Sequence, residues 1–139
     1  MILNAENKII GRLASYAAKK AMLGEEVIIV NCAKAVISGD KREIIEKYRA
    51  RRERRTIRRG PFFPKSADRI VKRMIRGMLP YKQEKGKKAL KRVKCYVSIP
   101  KAFQDKEIID LKQFNKDKLP NTKYMTLKDL SKELGAKYE

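Results

Sequence analysis

Residues Val27–Val30 read VIIV, a continuous apolar run of β-branched side chains. A strand of this kind is typical of a parallel sheet, in which both of its faces are buried. A short strand is predicted at residues 1–5, and a helical pattern with many alanines follows at residues 9–23 and predicts close packing against a sheet. The order strand, helix, buried strand predicts a right-handed crossover and an α/β fold.

The next segments continue this pattern with a short extended piece at residues 35–37 and a helix that begins at Asp40. Glu43 completes a capping box with Asp40. The apolar stripe of this helix ends at Tyr48, and helical spacing then falls on positions 51, 52, 55 and 59, which are all arginine. Nothing in the sequence ends the helix before Gly60, so its second half is predicted to project beyond the core.

The segment after Gly60 predicts a stiff turn and another helix. Phe62 and Phe63 stand between two prolines and are predicted to pack on the domain rather than to stack on bases. Ser66 begins a helix that Pro80 ends. Gly77 lies inside it, where glycine costs about 1 kcal/mol relative to alanine, so RNA or a neighbouring segment of the chain is predicted to come close there.

The last third of the chain is less regular. Residues 82–94 are mostly basic, residues 95–99 predict a strand, and residues 101–123 are polar and irregular. A final short helix has Thr126 and Asp129 as its capping box and Gly135 as its stop. We expect one domain over residues 1–139, with projecting basic segments at 49–60 and 82–94.

The charge balance indicates a polyanionic partner. The chain has 139 residues and a formal net charge of +20, from 36 lysines and arginines against 16 acids. Nucleic acid is the commonest such partner, and an anionic membrane surface is the weaker alternative because the arginine-rich helix lacks an apolar face. We expect no membrane association and no signal peptide, since the sequence begins without a basic stretch before an apolar run.

Catalytic chemistry is not expected from this composition. There is no histidine, no phosphate-binding glycine loop and no paired cysteine motif. Cys32 and Cys95 are predicted to be small buried hydrophobic residues without a disulfide. We therefore expect no enzyme, no metal, no cofactor and no small-molecule substrate.

The run RARRERRTIRRG, residues 49–60, contains seven arginines and no lysine. A guanidinium binds phosphate through two parallel hydrogen bonds and stacks on bases. Such a run suits a structured target with dense phosphates, and folded RNA brings phosphates from several strands together. A basic surface by itself does not separate RNA from DNA.

The chain resembles the large-subunit ribosomal protein thirteen family over nearly its whole length. The resemblance is carried by the stretches NAENKIIGRLAS, VIIVNCAKAVISGDK and MIRGMLPYKQEKGKKALKRVKCY. Two stretches are more similar to the archaeal and eukaryotic branch of this family than to its bacterial branch. They are GPFFPKSADRIVKRMIRGMLP and LSKELGAKYE. The chain departs from bacterial members at SIPKAF, where they tend to have a His-Pro segment. The resemblance implies a three-layer α/β/α fold with a small, mainly parallel four-stranded sheet.

The resemblance also implies a structural role in the large subunit of the cytoplasmic ribosome, with large-subunit ribosomal RNA and neighbouring ribosomal proteins as partners and a part in subunit assembly. Most of the expected RNA-binding residues lie on three basic segments, which are found between the core strands in the sequence. The full set is Lys41, Arg42, Arg49, Arg51, Arg52, Arg54, Arg55, Arg58, Arg59, Lys72, Arg73, Arg76, Gly77, Pro80, Lys82, Lys85, Lys87, Lys88, Lys91, Arg92 and Lys94.

Two alternatives from other classes remain open at the level of sequence. An RNA-processing or RNA-modifying enzyme would need a cofactor loop or a catalytic constellation, and neither is visible. An architectural DNA-binding protein would share the basic surface, and competition between RNA and duplex DNA distinguishes the two.

Overall fold

The computed structural model describes residues 1–138. Within that range the regular elements follow one another as β1 (Ile2–Asn4), α1 (Ile10–Met22), β2 (Val27–Val30), β3 (Val36–Ser38), α2 (Lys41–Glu53), α3 (Ala67–Gly77), α4 (Glu84–Lys91), β4 (Val93–Cys95), β5 (Tyr124–Thr126) and α5 (Leu127–Glu133). Short 3-10 turns occur between β2 and β3 and within residues 101–118.

The main sheet is built around β2, which pairs in parallel with β1 on one side and with β4 on the other. The α/β class and the small, mainly parallel sheet are thus confirmed. The sheet has three strands rather than the expected four, and the fourth position is reduced to a single parallel bridge between Leu3 and Ile109. That bridge is short because the irregular segment around Ile109 follows β1 for only two backbone hydrogen bonds, which join it to Ile2 and Asn4.

A separate two-stranded antiparallel sheet joins β3 to β5, with Val36 opposite Thr126. Helix α2 follows β3 after a two-residue turn, and α5 follows β5 directly. Because the strands are antiparallel, the start of the arginine-rich helix lies beside the beginning of β5, where the Gly39 N–H donates a hydrogen bond to the Lys123 carbonyl.

The core confirms the sequence pattern around β2. Ile29 and Val30 are adjacent and both completely buried, so the strand is covered on both faces. The alanines that α1 turns inward, among them Ala17 and Ala21, are fully buried as expected for close packing. Gly24 ends this segment with a φ of 97°, a left-handed conformation that favours glycine.

Two predicted boundaries are wrong. Helix α2 ends at Glu53 rather than at Gly60, and its final backbone bond runs from the Arg54 N–H to the Ala50 carbonyl. The strand predicted at residues 95–99 instead begins at Val93, which pairs with Val27, and ends at Cys95. Pairing with β2 decides the bounds of β4, whereas α2 ends just before the local turn that Thr56 and Gly60 close.

The two cysteines are free thiols in the described part of the chain. Cys32 is completely buried, as predicted, whereas Cys95 is only partly buried. A hydrogen bond with Cys95 and then burial raise the pKa of the Cys32 thiol, so it stays protonated at neutral pH.

Lys8 anchors the irregular segment of residues 101–123 to the domain. Its side chain is almost fully buried, and its Nζ lies 2.5 Å from an Asp110 carboxylate oxygen and 2.6 Å from the Asn115 amide oxygen. A buried ammonium is tolerated when it is paired and hydrogen-bonded in this way. The contact fixes a stretch that has little regular structure of its own.

Candidate nucleic-acid interface

Helix α2 carries the first basic segment and is fixed at its N-terminal end. The Asp40 side chain accepts a hydrogen bond from the Arg42 N–H at 2.9 Å, as expected for an N-cap. Ile44 and Tyr48 are the buried residues of this helix. Past Tyr48 the polypeptide carries mostly arginine, and the structure divides these arginines into two groups.

The inner arginines, which we define as Arg49, Arg51 and Arg52, contact the protein itself. Arg49 forms an ion pair with Glu133 at 2.8 Å, and Arg52 donates a hydrogen bond to the Leu134 carbonyl. Both partners lie at the C-terminal end of α5, where the helix dipole favours a positive charge. These two side chains therefore hold α2 against α5.

Arg51 belongs to a group of aromatic and cationic side chains that joins α2 to α3. The ring of Phe63 lies edge-on to Tyr48, with their centroids 5.6 Å apart. The guanidinium carbons of Arg51 and Arg73 lie 5.6 and 5.8 Å from the centroid of the same Phe63 ring. Cations at this distance from a ring are attracted by its quadrupole. Phe63 thus packs on the domain as predicted, and it brings the first two basic segments together.

This environment shifts two pKa values. Burial raises the pKa of the Tyr48 hydroxyl, and the neighbouring Arg51 charge opposes that change. Burial, followed by the charge of Arg76, lowers the pKa of the Arg73 guanidinium. The ordinary pKa of arginine lies far above neutral pH, so Arg73 remains a cation there.

The outer arginines, which we define as Arg54, Arg55, Arg58 and Arg59, are all exposed. They lie on the arginine loop, residues 54–60, which follows the end of α2. Thr56 and Gly60 exchange two backbone hydrogen bonds of 3.3 Å, and the Thr56 hydroxyl accepts another from the Arg59 N–H. The loop is therefore a defined hairpin-like turn that presents its cations to solvent.

Helix α3 carries the second basic segment and meets α4 across a groove of about 270 Å³. Four of its basic side chains line the groove together with two apolar residues, and the set is Pro64, Arg69, Lys72, Arg73, Arg76 and Leu90. Arg69 was absent from the predicted site residues although it belongs to the same basic segment. No acid lines this groove among the residues that the structure describes.

The turn between α3 and α4 depends on Gly86, which sequence reasoning missed. A Cβ added at Gly86 would lie 1.9 Å from the Pro80 carbonyl oxygen. Arg76 lies over the neighbouring Tyr81 ring, with its guanidinium carbon 4.7 Å from the centroid. A glycine inside the helical pattern of residues 84–91 was the available signal.

Gly77 has no close neighbouring segment in the described residues, and the close approach of RNA to it remains a prediction. Gly77 is the last residue of α3 and is exposed. Apart from its chain neighbours and the nearby backbone of its own helix, no atom of residues 1–138 would lie within 4 Å of a Cβ added there. The requirement for a glycine lies at position 86 instead, because that is where the chain folds back on the turn after Pro80.

Helix α4 and its flanks present the third basic segment. Lys82, Lys85, Lys87, Lys88, Lys91 and Lys94 are all exposed. Lys88 pairs with Glu84 at 3.3 Å, an exposed pair one helical turn apart. Arg92 is directed inward instead, since its guanidinium donates a hydrogen bond of 3.0 Å to the Ala21 carbonyl at the end of α1.

Lys41 and Arg42 lie away from the inner and outer arginines, at the other end of α2. Ten residues of helix separate Lys41 from Arg51, which is about 15 Å at 1.5 Å per residue. Arg42 pairs with Glu46 at 3.2 Å. The structure therefore does not bring these two predicted residues together with the rest.

Other kinds of site receive no support from the described residues. Within residues 1–138 no group of three or more histidine, cysteine, aspartate or glutamate side chains could hold a metal ion. In the same range no helix combines the length and the apolar character that crossing a membrane requires. The exposed cations of the described residues are instead concentrated on the arginine loop, α3 and α4, which together we call the basic face.

A concentration of cations of this kind on a small α/β domain is typical of nucleic-acid-binding proteins. The family model described as "Ribosomal protein L13" matches residues 1–102. The chain belongs to the ribosomal protein L13 family. Its archaeal relatives named "Large ribosomal subunit protein uL13" include one from Methanocaldococcus jannaschii, 48% identical over 99% of this chain and 98% of the relative, and one from Methanococcoides burtonii, 46% identical over 99% of each chain.

Proposed function

We propose that this protein is a structural constituent of the large ribosomal subunit, binds large-subunit ribosomal RNA and supports assembly of the subunit. One observation carries the proposal: the chain is 46% identical, over almost its full length, to a relative named as a large ribosomal subunit protein. The role is structural rather than enzymatic, and its setting is the cytoplasmic ribosome. Neighbouring large-subunit proteins are the further partners.

The basic face supports RNA as the direct ligand. The four outer arginines carry no ion pair in the described residues, so they have no acid to displace before they meet a phosphate. The groove between α3 and α4 adds four more basic side chains. Each cation that neutralises a phosphate releases condensed counterions, which makes the affinity fall with salt.

The contribution of the individual predicted residues follows their surroundings. The proposed phosphate contacts are the outer arginines, the cations of α3 and the exposed lysines of residues 82–94. Arg49, Arg52 and Arg92 have protein partners, so we propose that they position the basic segments. Lys41 and Arg42 would reach RNA only if it also extends along α2.

Sucrose-gradient fractionation of a cell lysate tests the assignment to the large subunit. We expect the protein to travel with large subunits and whole ribosomes at moderate salt. Its presence mainly in the soluble fractions, or on small subunits, would contradict the proposal.

A binding titration tests the ligand. The purified protein should bind a transcript of large-subunit ribosomal RNA, and an excess of duplex DNA should not displace it. Equal competition by duplex DNA would favour an architectural DNA-binding protein. A scrambled-sequence RNA of the same length is the matched control for non-specific electrostatic binding.

A further inference from the structure

Two consecutive phenylalanines after the arginine loop have opposite surroundings. Phe63 packs against Tyr48 and belongs to the hydrophobic core region, whereas Phe62 is 60% exposed. The prediction that both would pack on the domain is therefore wrong for Phe62. An exposed phenylalanine beside the four exposed outer arginines suits a partner that accepts both a cation and an aromatic ring.

The Phe62 ring contacts its own loop although it is largely in solvent. A Cβ added at Gly60 would lie 2.9 and 3.1 Å from two carbon atoms of the Phe62 ring, so the ring rests close against the Gly60 backbone. On its other side the chain is anchored by Phe63, and prolines flank the pair. A ring held in this way loses little freedom on binding, which favours affinity.

We infer that Phe62 is a base-stacking residue, which receives an unpaired base of the RNA while the outer arginines hold the adjoining phosphates. This inference rests on the proposed function and adds a contact to the base as well as to the backbone. Proteins that bind single-stranded RNA combine cations along the backbone with aromatic side chains on which bases stack. A neighbouring protein is less suited to the site, because four exposed arginines would have to be desolvated against it.

Replacement of Phe62 separates stacking from charge. Phe62→Leu keeps an apolar side chain but removes the aromatic ring, and we expect it to weaken binding to a large-subunit ribosomal RNA transcript by about 5- to 150-fold. The dependence of affinity on salt should keep its slope, since no charge changes. The melting temperature should stay at its original value because the side chain is exposed.

Ile57 provides a matched control in the same loop, where it is 97% exposed. Ile57→Ala removes a still more exposed apolar side chain that has no aromatic ring, and it should bind RNA as the original protein does. An equal loss for Ile57→Ala and Phe62→Leu would show general apolar contact and would overturn stacking.

A direct readout is available because the chain contains no tryptophan. Phe62→Trp introduces a single indole at the proposed stacking position, retains an aromatic ring and should keep near-original affinity. Its fluorescence should be quenched in step with RNA binding. Binding without quenching, or original affinity in Phe62→Leu, would overturn the inference while leaving the proposed function intact.

Assembled subunits provide the last discriminating outcome. If the indole is unaffected by RNA alone but becomes protected in purified large subunits, a neighbouring protein covers Phe62 and the stacking inference is wrong. If the original protein itself fails to bind the RNA transcript, the proposed function fails first.

Discussion

The inner and the outer arginines belong to one run of sequence, yet the fold treats them differently. Arg51 and Arg52 are partly buried and contact Tyr48, Phe63 and Leu134. The outer arginines of the loop are all exposed. Helical position explains the difference, because residues 51 and 52 lie one turn beyond Tyr48 on the same face of α2.

The comparison shows that the face of a helix that packs on the domain can continue past its last apolar residue into arginines. The sequence pattern suggested that contact with the core stops at Tyr48, and the structure shows that the next turn still contacts the domain. A guanidinium can do this because it stacks on aromatic rings and binds the carbonyls at a helix end. Density of positive charge alone therefore does not locate the surface available to RNA.

The largest expected effect comes from the outer arginines. Changing Arg54, Arg55, Arg58 and Arg59 together to glutamine should leave the melting temperature nearly unchanged. Four lost phosphate contacts should flatten the slope of log affinity against log salt by about 3 to 4, which corresponds to roughly a thousandfold loss of affinity at 0.1 M salt. The measurement is an RNA titration at several salt concentrations beside a thermal melt.

A set of four exposed lysines tests whether position matters beyond charge. Changing Lys19, Lys112, Lys118 and Lys128 to glutamine removes the same charge from sites outside the predicted interface. This control should alter the slope much less. Equal slopes for the two sets would mean that RNA binding follows net charge and that the arginine loop has no special part.

The next largest effect extends the comparison to α4, where geometry rather than charge is at stake. Gly86→Ala should destabilise the protein by about 1–3 kcal/mol, because the added methyl group overlaps the Pro80 carbonyl and the backbone must shift. Chemical denaturation measures this change. No cation is removed, so any loss of RNA affinity would reflect a displaced α4.

Gly77→Ala is the matched control for Gly86→Ala. An added Cβ meets no described atom within 4 Å there, and alanine has the higher helix propensity, so the protein should gain up to about 1 kcal/mol of stability. Weakened incorporation into large subunits despite that gain would indicate close approach of RNA to Gly77. Destabilisation of the free protein would contradict the structure.

Replacement of the inner arginines should have a smaller effect. It should lower the stability of the protein and leave the salt dependence of RNA binding nearly unchanged. Arg49→Gln with Arg52→Gln removes a half-exposed ion pair and a hydrogen bond to the end of α5, and it should cost about 1–2 kcal/mol of stability. The salt slope should change far less than in the outer set. Glu133→Gln breaks the Arg49 contact without altering a cation and should reproduce a fraction of the stability loss.

An unchanged melting temperature in the Arg49 and Arg52 variant would remove the distinction between the two groups. A full loss of salt slope would do the same, since it would place both groups on the RNA.

Sequence reasoning located the features that local chemistry decides. The buried strand β2 and the caps at Asp40 and Thr126 follow from periodicity and short-range signals, and all are confirmed. The basic segments themselves were visible for the same reason. The proposed contacts of individual residues with RNA remain predictions.

The features that sequence reasoning missed depend on contacts between distant segments and on the course of the backbone through turns. Glu133 is 84 positions from its partner Arg49, and no local pattern links them. The end of α2 at Glu53 depends on the turn closed by Thr56 and Gly60, which a run of good helix formers conceals. Phe62 and Phe63 have opposite surroundings because the side chains of consecutive residues point in different directions. Composition does not reveal which of the two packs on the domain.

The smallest expected effect concerns Tyr48, the residue at which the comparison begins. Burial raises the pKa of its hydroxyl in the folded protein, so the unfolded chain loses this proton first as the pH increases. The folded state then binds more protons than the unfolded state, and its stability must fall with pH. The contribution of Tyr48 is fully present below its unfolded pKa of about 10 and is lost as the pH rises through the higher folded pKa.

Tyr48→Phe isolates this contribution from that of the other tyrosines and the lysines. The phenylalanine keeps the contact with Phe63 and cannot ionise, so the variant should match the original protein at pH 7 and lose less stability between about pH 9 and 11. Denaturation at a series of pH values measures the difference between the two proteins. The nearby Arg51 charge opposes the shift, so Arg51→Gln should steepen the loss in the original background. Parallel stability curves for the original protein and Tyr48→Phe would show that Tyr48 is not a buried anchor, and α2 would then leave the core a full turn earlier than the structure places it.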